Sequence, residues 1–229
     1  MAQIVTTALR LFVARPVLFT VLALAVVAPY ELVAFAATGA PPLGSASTPA
    51  STTLTLGLID IALVGPLISA LAVQAVAMIG DGDRPTLPSV VSRGIRVLPV
   101  VAAAQIVAAF GIALGAFAFV IPGIILLIRW AVVAQVAAIE RTDWLGALRR
   151  GGELVRGQYI HVFGLVLVAT AFSFAVTAAA QSIVGSKART AEVVVGIAAA
   201  TIARSFSALA TAVLFYDLRA RERERQTDA

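Results

Sequence analysis

Long stretches of this chain carry almost no charge, and nothing else in the sequence constrains its fold as strongly. Val162 to Ser186 has no charged residue at all. Pro16 to Thr38 carries only Glu31, Leu54 to Ile79 only Asp60, and Val193 to Tyr216 only Arg204. Val97 to Ile139 is longer still and carries only Arg129. A helix that crosses a bilayer needs about 20 mostly apolar residues, so four of these intervals hold one span each and the longest holds two. Pro122-Gly123 supplies the break, because proline removes a backbone donor and glycine tolerates a turn. The expectation is an all-α bundle of six transmembrane helices forming one integral membrane domain over 1–229. The spans fall at about 14–38, 54–79, 97–121, 124–140, 160–184 and 192–216.

Composition agrees. Of the 229 residues 60% are hydrophobic and 13% charged, against about 45–50% and about 25% in soluble domains. With so few charges, water is a poor solvent for the outside of such a bundle and lipid a good one.

The connections are polar. Residues 39–53 are rich in Gly, Pro, Ser and Thr and read as a flexible loop. Asp81 to Pro85 forms a short turn, and residues 185–191 another. Placing the N-terminus in the cytoplasm puts Arg10, Arg15, Arg84, Arg93, Arg96, Arg141, Arg149, Arg150, Arg156, Arg219, Arg221, Arg223 and Arg225 on that side. Only Lys187 and Arg189 remain outside. This asymmetry is the positive-inside pattern, and it predicts a multi-pass protein of the cell membrane with both termini cytoplasmic. A competing reading takes the first apolar stretch, ending at Ala34-Phe35-Ala36, as a cleaved signal peptide. That would leave five spans and spoil the charge pattern.

The elbow at 141–158 contains an amphipathic segment. Trp144, Leu145, Leu148, Gly152 and Val155 share one face, while Arg149, Arg150, Glu153 and Arg156 occupy the other. Such a helix suits the cytoplasmic interface, with arginines near anionic headgroups, although Gly151-Gly152 weakens it. Arg93 and Arg96, in the basic stretch before the third span, are read the same way. The tail 217–229 alternates Arg and Glu and extends the last span as a solvated helix. Its acidic residues dilute the charge, so nucleic acid is not an expected partner.

Glu31, Asp60, Arg129 and Arg204 lie within the predicted spans. Charges at that depth are costly and mark pairing or function. The topology puts Glu31, Asp60 and Arg129 in the outer part of the bilayer, so Arg129 is expected to pair with Asp60 or Glu31. Arg204, near mid-span, has no obvious partner. These groups either clamp helices together or line a cavity for an ion, a solute or a lipid headgroup. Gln74, Gln105, Gln135 and Gln181 are expected to bridge helices, and Gly111-x-x-x-Gly115 to pack helices closely. His161 is read as a headgroup contact.

Cysteine is absent and His161 is the single histidine, so no thiolate or multi-histidine metal site can be built. No nucleophile–base set and no Gly-rich phosphate loop stands out. The expectation is a protein without catalytic activity or cofactor. It would work with the lipid bilayer, anionic headgroups or another membrane protein. The alternative is a small transporter or channel using Asp60, Arg129 and Arg204.

One resemblance adds to this reading. Pro122-Gly123, Arg129-Trp130, Glu140, Ala147-Leu148-Arg149-Arg150, Glu153-Leu154 and Arg156-Gly157 form one group of matching residues. Phe215-Tyr216-Asp217-Leu218-Arg219-Ala220-Arg221-Glu222 forms a second. Together they resemble the membrane domain of glycerophosphoryl diester phosphodiesterases and its stand-alone relatives. The resemblance implies a six-helix membrane module of unassigned activity. The soluble domain that performs the phosphodiester chemistry in fused members has no counterpart here. Gly151-Gly152 departs from the pattern, where relatives tend to have Ser and an aromatic residue.

Overall fold

A computed structural model describes residues 2–43, 49–140, 142–184 and 189–227. The described residues form an all-α bundle without strands. Six helical stretches are long and apolar enough to cross a membrane, two of them made of consecutive helices. Lys187, Arg141 and the middle of the predicted 39–53 loop lie outside the described residues.

The chain opens with α1 (Ala2–Ala14), which sequence reading left unassigned. Its signal is local: Ile4, Ala8, Leu11 and Phe12 recur at helical spacing and turn toward the core. Arg15 breaks the helix, and Pro16 starts α2 (Pro16–Thr38) at a position where its missing N–H costs nothing.

The second apolar interval runs from α3 (Ala50–Ile59) through a π turn (Asp60–Val64) into α4 (Gly65–Gly80). Pro66 cannot donate to the carbonyl one turn back, and the Gly65 N–H bonds instead to the Asp60 carbonyl, five residues earlier. The widened turn therefore sits at the one charged residue of this interval.

Next comes α5 (Leu87–Ala118), which opens on a capping box between Thr86 and Ser89. The basic stretch 88–96 is the first part of this helix rather than a separate interfacial segment. Gly94 lets it approach α4, since a β-carbon there would lie 2.7 Å from Leu71 Cδ2.

The reversal after α5 falls at Phe119, in extended conformation, not at Pro122-Gly123. These two residues belong to the first turn of α6 (Val120–Arg129). A first-turn proline wastes no hydrogen bond. Gly123 is there for contact: a β-carbon on it would lie 2.7 Å from Ala116 Cα. Gly111 and Gly115, the predicted packing motif, complete the seam against Trp130 and against Gly123 with Leu126. The motif thus serves packing within the chain. A three-residue break then leads to α7 (Val133–Ile139), so the fourth span is two helices in tandem.

The elbow is helical as α8 (Trp144–Val155), capped by the Asp143 side chain, which accepts from the Gly146 N–H at 3.0 Å. Gly151-Gly152 does not break it. Both are buried against the fourth span, where a β-carbon on Gly152 would strike the Arg129 side chain at 2.7 Å. Trp144 and Leu145 of the predicted apolar face are exposed, whereas Leu148, Gly152 and Val155 are buried. Gly157, at φ 82°, turns the chain into α9 (Tyr159–Val184). The last helix, α10 (Arg189–Thr227), is unbroken over 39 residues and includes most of the predicted tail.

The hub of the bundle is α10, which packs against α1, α2, α4 and α9. The main core lies toward the arginine-rich end and includes Val73, Val90, Val132, Leu154, Leu209, Phe215 and Leu218. The opposite end is open, with Phe117, Phe119, Val120 and Ile121 at the α5–α6 tip exposed. Side chains of that kind at a bundle surface fit a lipid solvent.

Candidate functional site

Two places bring polar groups together: the apolar depth of the bundle and its arginine-rich end. At depth, Arg204 of α10 donates through Nη1 to Asp60 Oδ1 at the start of the π turn. The Tyr30 ring of α2 lies 5.6 Å from the guanidinium carbon, and its hydroxyl donates to the Leu56 carbonyl at 3.2 Å. Glu31 lies within electrostatic reach of both charges. Three helices thus contribute to one charged cluster.

This overturns the expected pairing. The partner of Asp60 is Arg204, not Arg129, and Arg204 is not alone at its depth. Arg129 makes no ion pair among the described residues and lies against Gly152 on the far side of α6. The physical reason is helical phase. Successive residues on a helix point about 100° apart, so with Trp130 turned inward against Gly111, Arg129 is carried round to α8.

Beside Arg204 runs a cleft of about 470 Å³ bounded by α4, α5, α7, α9 and α10. Its polar wall includes Ser69, Gln105, Gln135, Ser207 and Arg204; its apolar wall includes Trp130 and Ile68. The cleft exists because α9 packs along α10 and touches α6 but barely meets α4 or α7. Gln135 is 2% exposed. Its Nε2 donates to Thr211 Oγ1 at 2.9 Å, and Thr211 spends its own proton on backbone carbonyls. That fixes the amide orientation and leaves Gln135 Oε1 without a donor. Among the described residues Gln105 Oε1 is equally unpartnered. Gln74 does bridge helices, donating to the Ala138 carbonyl at 3.0 Å, whereas Gln181 is exposed on α9.

At the arginine-rich end the predicted interfacial arginines separate into two kinds. Arg150 is tied down. It donates to Glu222 through Nη1 and Nη2 at 2.7 and 2.5 Å, and to Glu140 through Nε at 3.1 Å. It therefore clamps α8 to the end of α10 and to the chain following α7. Arg149 makes only an exposed bond to Glu153, one turn on, and Arg156 is exposed. Arg93 and Arg96 are exposed one turn apart on α5 and line a cavity of about 760 Å³ with Gln74, Asp81 and Ile139.

The clamp should respond to acid. Its hydrogen bonds from Arg150 hold the Glu222 carboxyl below its ordinary value and raise the guanidinium. A carboxyl lowered on folding stabilises the fold above its unfolded value, and that contribution fades as pH falls through the lowered one. Detergent-solubilised protein should lose about 1 kcal/mol through this pair as pH drops below about 4. Glu222→Gln should remove the same amount at neutral pH and flatten that part of the profile. Thermal melts from pH 7 to pH 3 measure both; parallel curves for the two chains would dissociate Glu222 from the acid response.

Six apolar helices around a charged intramembrane cluster define an α-helical membrane protein. The chain matches no protein-family model, and no curated protein or solved structure gives a significant match.

Proposed function

We propose that this protein is a non-catalytic multi-pass module of the cell membrane that gathers anionic lipid headgroups at its arginine-rich, cytoplasmic face. The observation carrying this reading is the cavity that Arg93 and Arg96 line between α4, α5 and α7. Guanidinium groups bind phosphate in two-pronged fashion and lose little hydration in doing so. Asp81 on the same cavity offsets one charge and leaves the site net positive. Arg149 and Arg156, with exposed Trp144 and Tyr159 near them in sequence, extend the same surface. Arg150 drops out of the lipid-contact set because its donors are spent on Glu140 and Glu222. With this face inside, both termini are cytoplasmic, as the charge asymmetry favours. The sequence pattern further supports a stand-alone relative of the glycerophosphoryl diester phosphodiesterase membrane domain, without transfer of its phosphodiester chemistry.

The test is lipid retention. Protein purified from mixed phosphatidylcholine–phosphatidylglycerol nanodiscs should carry phosphatidylglycerol in excess. A basic residue near an anionic surface contributes about 1 kcal/mol, so Arg93→Gln with Arg96→Gln, together about 2 kcal/mol, should lower that excess about thirtyfold. An unchanged excess in a folded variant overturns the proposal.

A small transporter or channel is the second reading, favoured by the cleft beside Arg204. Its test is aqueous access. Single replacements Ser69→Cys and Ser207→Cys in this cysteine-free chain should react with impermeant thiol reagents if water reaches the cleft. Protection from both sides excludes an aqueous pathway.

A further inference from the structure

The cleft at Arg204 holds more unsatisfied hydrogen-bonding capacity than a closed structural clamp needs. Arg204 uses one nitrogen on Asp60, and among the described residues no acceptor meets its Nε or Nη2. The Ser69 and Ser207 hydroxyls make no hydrogen bond among the described residues. Among the described residues Gln105 Oε1 and Gln135 Oε1 lack donors, and Gln135 is almost fully buried. The cleft therefore presents both donors and acceptors among apolar spans, where each unmet polar group is costly.

We propose that this cleft binds a neutral lipid whose headgroup carries a free hydroxyl and ester carbonyls, the chemistry of a diacylglycerol. Three observations select that class. Arg204 is the one charged residue among those lining the cleft, and its charge is already matched by Asp60, so the site asks for no net charge; a cationic head would meet Arg204. The ligand must donate a hydrogen bond to an amide oxygen and accept one from the guanidinium, which a hydroxyl beside an ester carbonyl does. It must also have somewhere to put its chains, and the gap between α9 and the α4–α7 wall supplies that exit. Of the six spans α9 is the least buried, at 11% against 56% for α10. A volume of about 470 Å³ suits a glycerol headgroup and the first few methylenes of its chains.

Trp130 lines the cleft, and Trp144, the other tryptophan, is exposed on α8. With Trp144→Phe in place, Trp130 is the one tryptophan left, and its emission reports the wall of the cleft. The chain goes into phosphatidylcholine nanodiscs, and diacylglycerol with bromine near the ester end of its acyl chains is titrated in. Saturable quenching at a few mole per cent is expected, with an apparent affinity about tenfold above that of brominated phosphatidylcholine, the ratio given by one or two net hydrogen bonds. Ser207→Leu, which fills the polar wall, should weaken it by a similar factor. Asp60→Asn with Arg204→Gln tests the same site without leaving a lone charge and should also weaken it. Free glycerol added to the buffer separates the two sources of this chemistry: no competition identifies the lipid, and full competition identifies a water-soluble polyol instead. Equal, unsaturating quenching by both brominated lipids, unmoved by Ser207→Leu, would overturn the proposal and leave a cleft filled by water. Retention of phosphatidylglycerol at Arg93 and Arg96 is a separate readout, so either site can fail alone.

Discussion

Arg204→Gln is expected to cost about 3 kcal/mol, and restoring charge balance with Asp60→Asn is expected to recover most of it. The single change leaves the Asp60 carboxyl at bilayer depth with its partner gone, the situation in which breaking an internal ion pair is most damaging. The double change removes both charges and keeps two amide-bearing side chains of similar shape. It also leaves the Tyr30 ring without its cation, a smaller loss of about 1 kcal/mol. Asp60→Asn alone should fall between, because Arg204 keeps the Tyr30 ring and Glu31 as neighbours. Unfolding titrations in mixed detergent measure all three. Strictly additive losses would show that Asp60 and Arg204 do not depend on each other. As a control, Arg129→Gln should remove no ion pair, since its side chain lies across Gly152.

The second large effect concerns the α5–α6 hairpin. Gly123→Ala should destabilise the protein by about 2–3 kcal/mol, near the upper end for overpacking at a tight site. The added methyl would lie 2.7 Å from both the α-carbon and the β-carbon of Ala116. Backbone cannot turn aside as a side chain does, so the two helices must part. Gly111→Ala gives a useful contrast: its methyl would meet the ring atoms of Trp130 at 2.5 Å. That ring is the end of a side chain with two rotatable bonds, and it can swing into the adjacent cleft. Gly111→Ala should therefore cost less than Gly123→Ala and should shift Trp130 emission, whereas Gly123→Ala should not. A larger loss for Gly111→Ala would place the rigid contact at the wrong glycine.

The comparison of these two residues also explains what could be read in advance. Span number followed from the bilayer's demand for long apolar runs, and that demand is one-dimensional. Hence five charge-poor intervals and one break sufficed to expect six helices. Pro122-Gly123 was legible as a discontinuity but misplaced by a few residues. Proline serves equally well in a turn and in the first turn of a helix, and only the approach of Ala116 decides between them. The same holds for Gly151-Gly152, where low helix propensity was outweighed by the chance to press α8 against Arg129 and Val133.

The charged residues were found because charge at that depth is rare, but their pairing depends on facing direction, which the sequence carries only through helical phase. Arg129 and Trp130 are neighbours in the chain and face different partners. Two features left weaker traces. The π turn at Asp60 is foreshadowed by Gly65-Pro66, a donor missing six residues after an acidic one. The helix α1 is foreshadowed by Ile4, Ala8, Leu11 and Phe12. The clamp by Arg150 left no local trace, since Glu222 is 72 residues away.

That distant partner has a mechanical consequence. Arg204 and Glu222 stand on one helix without a break, separated by about 27 Å at 1.5 Å per residue. An unkinked rod transmits tilt along its whole length. Any rocking of α10 that lengthens its grip on α8 at one end must also shift the guanidinium held by Asp60 at the other, so the two fastenings load and relax together.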